Sequence, residues 1–282
     1  MQTSTIRTIE LPAGERIPVL GQGTGGLAED PDRRRDEIAA LRTGIDLGMT
    51  LIDTAEVYAD GGAERLVGEA IADRRDQVFL VDKVAPDNAS ELGMVSACEH
   101  SLRRLGTDHI DLYLLHWRGA VPLEETVEAF AELVRQGKIR YWGVSNFDVP
   151  DLAELTSMTD GREVQTDQVL YNLSHRGIEW DLLPRSRELG LPVMAYAPFE
   201  HGRMLGHPAL RRVAERHGAS PAQVALAWVL RHDTVTAVAR SADPQHVRAN
   251  RAAVDLRLTP EDLAELDREF PPPHGPTPLE EL

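Results

Sequence analysis

Residues 48–58 read Gly-Met-Thr-Leu-Ile-Asp-Thr-Ala-Glu-Val-Tyr and carry the strongest fold signal in the chain. A short apolar run at 50–52 leads directly into Asp53, and a phenol, Tyr58, follows five residues later. A run this short and this apolar is typical of a buried strand in a parallel sheet. We therefore place Asp53 at the carboxyl end of that strand and Tyr58 in the loop beyond it. A buried carboxylate needs a partner to remain charged, so a neighbouring strand should supply one.

The same strand-then-helix rhythm recurs on both sides of this stretch. A short hairpin is predicted first, from residues 6–10 and 16–19 around a Gly-containing turn. Eight strands follow, each succeeded by a helical pattern, at residues 19–21, 50–54, 78–84, 111–117, 139–144, 164–171, 191–197 and 235–239. No Pro-, Ser- or Gly-rich linker divides the chain, so one domain over residues 1–282 is expected. The prediction is an α/β fold, a closed (β/α)8 TIM barrel with an N-terminal β-hairpin.

Composition limits the functions that such a barrel would have. The chain of 282 residues has a formal net charge of −16, which disfavours nucleic acid and anionic membranes as partners. Its single cysteine, Cys98, excludes a disulfide framework and fits a core position in a cytoplasmic protein. We find no apolar signal core at the N-terminus and no apolar run of membrane-spanning length.

Polar residues at the ends of three consecutive strands form a candidate site. Asp53 ends the second strand, Lys83 lies near the end of the third, and His116 ends the fourth. Side chains alternate along a strand, and the spacing of these three is compatible with all of them pointing into the barrel. At the carboxyl ends of the strands, where barrel active sites lie, they would converge beside Tyr58. Taken singly, such a Lys, His or Tyr usually has a structural role; together they favour a functional site.

This group has a specific chemistry. Asp53 and Lys83 would pair and keep each other charged. An ammonium about 4 Å from the Tyr58 oxygen, at an effective dielectric near 20, would stabilise the phenolate by roughly 4 kcal/mol. We therefore expect the pKa of Tyr58 to fall from about 10 toward neutrality, so that it donates a proton at physiological pH. His116 would hydrogen-bond a carbonyl oxygen and orient it. The sequence thus predicts protonation of a carbonyl oxygen while a second group attacks the carbon.

Longer motifs extend this pattern over nearly the whole chain. They are Asp53-Thr-Ala-Glu-Val-Tyr58, Lys83, Leu-Leu-His116-Trp117, Gly137-Lys-Ile-Arg-Tyr-Trp-Gly-Val-Ser-Asn-Phe147, Gln168-Val-Leu-Tyr-Asn172 and Pro192-Val-Met-Ala-Tyr-Ala-Pro198. In order and spacing they resemble the aldo-keto reductases. The resemblance is closest to bacterial methylglyoxal-reductase-like members, through Tyr58-Ala-Asp-Gly-Gly-Ala-Glu64 and Arg176-Gly-Ile-Glu-Trp-Asp-Leu-Leu183. It implies a barrel that moves hydride between NADPH and a small-molecule carbonyl substrate without a metal.

The resemblance also implies a role for individual residues. Tyr58 matches the proton donor, Lys83 and Asp53 the pair that tunes it, and His116 the residue that orients the carbonyl. The cofactor residues implied are Gly23 and Thr24 on the first strand, Ser145, Asn146 and Gln168 on the nicotinamide carboxamide, and Tyr196 stacked on its ring. Two of these segments also have purely structural explanations. Residues 21–26 form a Gly-rich turn, which alone is a weak signal for phosphate binding, and residues 145–146 would serve as a helix N-cap.

The adenosine end departs from the family pattern of Pro-Lys-Ser, an Arg and Glu-Asn. This chain has Ala239-Arg240-Ser241, then His246 at the Arg position, and Ala249-Asn250. Arg240 keeps a cation for a 2′-phosphate beside Ser241, whereas His246 is largely neutral at pH 7. The expected cofactor is NADPH, with NADH as the alternative.

The substrate pocket is expected to be shallow and open. Trp117 and Phe199 would give an apolar wall, and His116 and Tyr58 a polar floor. The loops are short, and the tail from residue 271 is brief, Pro-rich and without aromatic residues, which favours methylglyoxal-like aldehydes and dicarbonyls over steroids.

Two other functions are alternatives for such a barrel. A non-catalytic barrel that senses nicotinamide nucleotides stays open as an alternative, and a metal-dependent hydrolase is disfavoured because the chain has no His-x-His pair.

Overall fold

The structure, a computed structural model, describes residues 5–282 and consists of a hairpin followed by a closed parallel barrel. The antiparallel hairpin strands are β1 (Thr8–Glu10) and β2 (Arg16–Pro18). The barrel strands are β3 (Leu20–Gly23), β4 (Leu51–Asp53), β5 (Phe79–Val84), β6 (Ile110–Leu115), β7 (Ile139–Ser145), β8 (Asp167–Leu170), β9 (Val193–Tyr196) and β10 (Val235–Arg240). They pair in chain order, and β10 closes the barrel on β3. The predicted TIM barrel with its N-terminal hairpin is confirmed.

Ten α-helices lie outside these strands in the described part of the chain. They are α1 (Arg34–Asp46), α2 (Gly62–Ile71), α3 (Glu91–Leu105), α4 (Leu123–Arg135), α5 (Val149–Ser157), α6 (Leu182–Leu189), α7 (Pro208–His217), α8 (Pro221–Val229), α9 (Pro244–Ala253) and α10 (Pro260–Glu269). Their ends follow ordinary capping chemistry. Thr259 caps α10 in a capping box with Asp262, and Pro260 occupies the first helical position.

Strand register brings the candidate side chains to one end of the barrel. Asp53 is the last residue of β4 and lies opposite Gly23 on one side and Val81 on the other. Lys83 on β5 lies opposite Leu114 on β6, and His116 follows β6 directly. Because parallel strands end at the same edge, all of these residues reach the carboxyl end of the barrel, where active sites of this fold lie.

The structure differs from the predicted elements at several places. The predicted strands 164–171 and 191–197 shorten to β8 and β9, because their outer residues do not join the ladder. The helical pattern that follows the sixth predicted strand, at residues 178–189, divides into a 3-10 turn, Gly177–Glu179, and α6. Between β9 and the next helix, the chain forms a 3-10 stretch, Glu200–Gly206, which is interrupted where His201 and Gly202 have positive φ.

The C-terminal tail has no regular secondary structure, as predicted, but it packs back onto the barrel. Leu279 contacts the hydrophobic core, and Glu281 and Leu282 reach the cavity at the barrel mouth. Among residues 5–282, we find no helix with the length and apolarity required to cross a bilayer.

Candidate active site

The Lys83 ammonium is the centre of the candidate site. Its side chain is fully buried, and its Nζ lies 2.7 Å from Asp53 Oδ1. Nζ also donates to the Thr54 carbonyl at 2.9 Å and to the Tyr58 hydroxyl at 3.5 Å. An ammonium has three donors and no acceptor, so these three oxygens use its full capacity. Burial alone would lower the pKa of Lys83, but the charge and hydrogen bond of Asp53, with help from Tyr58, raise it, and Lys83 stays charged.

The pKa of Tyr58 is shifted in the direction opposite to the expected one. Lys83 does pull the pKa of the phenol down, through its charge and its hydrogen bond. Burial pushes it up by more, and Asp53 adds to the increase, so the pKa of Tyr58 lies above its ordinary value near 10. The prediction of a pKa near neutrality is therefore wrong for the protein without ligands. The cause is desolvation, which penalises the phenolate more than the ammonium at 3.5 Å stabilises it.

His116 is neutral at physiological pH. Burial and the nearby Lys83 charge lower the pKa of its imidazole to about 3. Its ring meets the Tyr58 ring edge-on, with 5.6 Å between centroids, and lies 4.6 Å from the Trp117 ring. A neutral imidazole has one donor and one acceptor nitrogen, which suits hydrogen bonding to an uncharged oxygen.

Asn146 connects several strands at the barrel mouth. It has a positive φ of 59°, a conformation that Asn tolerates better than most residues. Its Nδ2 donates to the His116 carbonyl at 3.2 Å, and its Oδ1 accepts from the Tyr196 hydroxyl at 3.1 Å. Ser145 Oγ donates to the Gln168 carbonyl at 2.8 Å. The N-cap of α5 is Asp148 in a capping box, so the alternative of an N-cap at 145–146 is wrong.

These residues surround one cavity of about 840 Å³ at the carboxyl end of the barrel. That volume lies within the range of small-molecule and cofactor sites. Its wall includes both the catalytic candidates and the basic residues Arg240 and His246. The predicted residues that line it are Gly23, Asp53, Tyr58, His116, Trp117, Ser145, Asn146, Gln168, Tyr196, Phe199, Arg240 and His246.

Comparison with known proteins agrees with this geometry. The profile of the Aldo/keto reductase family matches residues 19–269. The chain belongs to that family. Its sequence is 49% identical over 279 residues to methylglyoxal reductase YeaE of Escherichia coli K12, covering 97% of this chain and 98% of the relative. It is 32% identical over 270 residues to the glyoxal reductase of Bacillus subtilis, covering 95% and 94% of the two chains.

Solved structures give the same result. An aldo/keto reductase from Klebsiella pneumoniae, crystallised with NADP and acetate, superimposes with a TM-score of 0.96 at 49% identity. The match covers 99% of this chain and all of the other. A second structure described as an aldo-keto reductase from Klebsiella pneumoniae, in complex with NADPH, matches equally well. This aldo/keto reductase is therefore an oxidoreductase.

Three predicted cofactor residues of this aldo/keto reductase do not line the cavity. Thr24 is fully buried, and its hydroxyl donates to the Asp53 carbonyl at 3.0 Å, which ties β3 to β4. Asn250 is buried on α9, and the Ser241 hydroxyl is engaged with the Asp243 backbone next to the start of that helix. Their contact with a cofactor stays a prediction.

The tail and the loop after β9 contribute residues that sequence reasoning missed. His201, Gly202, Leu205, Glu281 and Leu282 all line the cavity. The expectation of a shallow, uncovered pocket is corrected here, because the brief tail does reach the mouth. Neither segment has a periodic pattern, and the backbone at Glu200 and His201 has positive φ, so no local sequence signal could have located them.

The single cysteine does not contribute to the cavity wall. Cys98 is buried on α3, where burial raises the pKa of its thiol to about 12, as fits a core residue. Among the described residues, no group of three or more His, Cys, Asp or Glu side chains is arranged to hold a metal ion.

Proposed function

We propose that this aldo/keto reductase uses NADPH to reduce small aldehydes and dicarbonyls such as methylglyoxal to alcohols, with Tyr58 as the proton donor. The observation that carries the proposal is the Lys83–Tyr58 contact at 3.5 Å within the cavity. The similarity to methylglyoxal and glyoxal reductases supports the substrate class. We further propose that the protein acts in the cytoplasm, as its single cysteine and acidic composition favour.

Lys83 fixes the direction in which Tyr58 can give its proton. Because an ammonium only donates, the Tyr58 oxygen accepts from it, and the phenol proton is left to point elsewhere. The cavity is the open direction. Burial keeps this phenol protonated in the resting protein, and the Lys83 charge stabilises the phenolate that forms as the proton leaves. Tyr58 is thus protonated at neutral pH, and the Lys83 ammonium is already in place to stabilise its conjugate base.

His116 and two aromatic side chains would position the carbonyl. The neutral imidazole of His116 would donate a hydrogen bond to the same oxygen that Tyr58 protonates. Trp117 and Phe199 line the cavity and would provide apolar contact to the rest of a small substrate. Small, reactive carbonyls would be reduced best, because their reduction needs little binding energy from the rest of the molecule.

The residues of the cavity fit a nicotinamide dinucleotide. Gly23 adds bare backbone to the wall, so a cofactor can approach it closely, while the Tyr58 ring and the Arg240 guanidinium lie against Gly25 and Gly26. The carboxamide would meet the polar group Ser145, Asn146 and Gln168. Tyr196 would stack on the ring, and Arg240 would pair with the 2′-phosphate that distinguishes NADPH from NADH. When bound, NADPH supplies the hydride.

The substitution Tyr58→Phe tests the proton donor. Removal of the hydroxyl should lower kcat for methylglyoxal by roughly 10²–10⁴-fold, the usual contribution of a general acid. The affinity for NADPH, measured by fluorescence titration, should hardly change, because the proposed cofactor contacts lie on other strands. Tyr141→Phe is the matched control, since Tyr141 lies on β7 and does not line the cavity. Normal turnover in Tyr58→Phe would refute the mechanism, and a wild-type protein that binds NADPH without turnover would favour the nucleotide sensor.

A further inference from the structure

The end of the C-terminal tail is held in a defined place at the cavity mouth. Residues 277–280 line a small cleft together with Gly177 and Ile178, and Leu279 packs against the hydrophobic core. Glu280 Oε1 lies 3.1 Å from His175 Nδ1, and Glu200 lies 3.7 Å from the other ring nitrogen. His175 therefore joins the tail to the loop after β9, and these are the two segments that cover the cavity.

This anchoring brings the Glu281 carboxylate to the cavity wall. Glu281 and Leu282 line the cavity beside Tyr196, and the charge of Glu281 acts on the Tyr196 phenol, as does Tyr58 from the other side. Glu281 forms no ion pair with any residue in the range 5–282 that the structure describes. It is exposed and thus contributes a negative charge without an ion-pair partner to the part of the cavity wall that holds Tyr196.

Arg240, on β10, is the one arginine or lysine among the described residues that line the cavity, and it is the residue proposed to pair with the 2′-phosphate. His201 lines the cavity from the loop after β9, and His246 lines it from α9. His116 at the substrate end is neutral, since its pKa is about 3. Lys83 is already paired with Asp53. A substrate that carries a carboxylate would therefore be repelled, whereas an uncharged carbonyl compound would not.

We propose that Glu281 is a specificity-determining residue that selects against anionic carbonyl compounds, such as 2-oxo acids and carboxylated aldehydes. The inference rests on the proposed function and narrows its substrate class to uncharged aldehydes and dicarbonyls. Glu280 and His175 are positioning residues in this scheme, because they hold the tail while Glu281 supplies the charge.

The test compares substrates that differ in charge but little in shape. We would measure kcat/KM for benzaldehyde and 4-carboxybenzaldehyde, and for methylglyoxal and pyruvate, in the wild type and in Glu281→Gln. The anionic member of each pair should improve about fivefold, as expected for a unit charge acting over about 8 Å at an effective dielectric of about 40. The uncharged members should change by less than about twofold. High salt should reduce the discrimination in the wild type, because it screens a charge at an open mouth.

Glu128→Gln is the matched control, because Glu128 is exposed on α4, does not line the cavity and loses the same charge. Equal gains for charged and uncharged substrates in Glu281→Gln would overturn the inference, since they would indicate loss of a steric cover. An unchanged ratio would overturn it as well.

A binding measurement separates this inference from the proposed function. Calorimetric titration of the NADP complex with benzoate and with benzamide reports the effect of charge without turnover. Benzoate should bind about fivefold tighter to Glu281→Gln than to the wild type, by the same estimate, and benzamide should bind equally to both. That result would stand even if the protein reduced none of the aldehydes, whereas equal benzoate affinities would refute the role of Glu281.

Discussion

The substitution Lys83→Met tests the buried ion pair that organises the site. Met has a similar length and no charge, so it would fill the space while leaving the Asp53 carboxylate without its cation. In the wild type, Lys83 is fully buried and its Nζ lies 2.7 Å from Asp53 Oδ1. The Coulomb attraction between the two charges at this distance is about 6 kcal/mol with an effective dielectric of about 20, before any cost of desolvation.

The net loss should be smaller, because burial of both charges already costs free energy. Removal of one member of a buried pair typically destabilises by about 3–5 kcal/mol. Gln168 Nε2 still donates to Asp53 Oδ1 at 2.8 Å, so we expect the lower end, about 3 kcal/mol. Urea unfolding followed by circular dichroism measures this difference. Activity should fall by at least about 10²-fold, because Tyr58 also loses the charge that stabilises its phenolate.

The double variant Asp53→Asn with Lys83→Met separates stability from catalysis. Removing both charges eliminates the uncompensated carboxylate, so most of the lost free energy of unfolding should return. Activity should not return, because no ammonium stands behind Tyr58. Recovery of turnover in the double variant would show that Lys83 acts only on folding. A loss of less than about 1 kcal/mol in the single variant would contradict the buried pair itself.

Two further predictions concern the cofactor and the pH. Arg240→Ala should weaken NADPH binding by roughly 1.5–3 kcal/mol, the usual contribution of a hydrogen bond to a charged group, and leave NADH binding nearly unchanged. Titration of each nucleotide measures these affinities, and equal losses for both would rule out a 2′-phosphate contact. Reduction requires a protonated Tyr58 and a neutral His116. The pKa of Tyr58 is raised above 10, and the pKa of His116 is lowered to about 3. We therefore expect kcat/KM for an uncharged aldehyde to be constant from about pH 5 to 9. A fall in the rate centred near pH 7 in overlapping buffers would contradict these assignments.

The barrel and the central residues could be predicted because their signals are local. Short continuous apolar runs located the strands, and alternation along them placed Asp53, Lys83 and His116 at strand ends on one face. Parallel pairing then brings residues that are 30 or more positions apart to the same edge. The N-cap of α5 was also within reach of the sequence, since Asp148-Val-Pro-Asp151 has the spacing of a capping box.

The remaining features depend on tertiary structure. The Tyr58 pKa was predicted in the wrong direction, because desolvation by surrounding elements outweighs the Lys83 charge and cannot be estimated from sequence neighbours. The position of Glu281 depends on Leu279 and Glu280 docking against residues 177–178 and His175, about 100 positions earlier in the chain. A Pro-rich tail gives no period from which such docking could be predicted.

The hydrogen bond from Gln168 to Asp53 has a consequence for refolding. It joins β8 to β4, which are four strands apart in the closed eight-strand order and so face each other across the barrel, 115 residues apart in the chain. Contacts this distant in sequence form late, after local helices and neighbouring strands. The carboxylate that pairs with Lys83 thus gains this second support only when the ring of strands has closed. We expect recovered activity to lag behind recovered helical signal during refolding, so that turnover reports closure of the barrel.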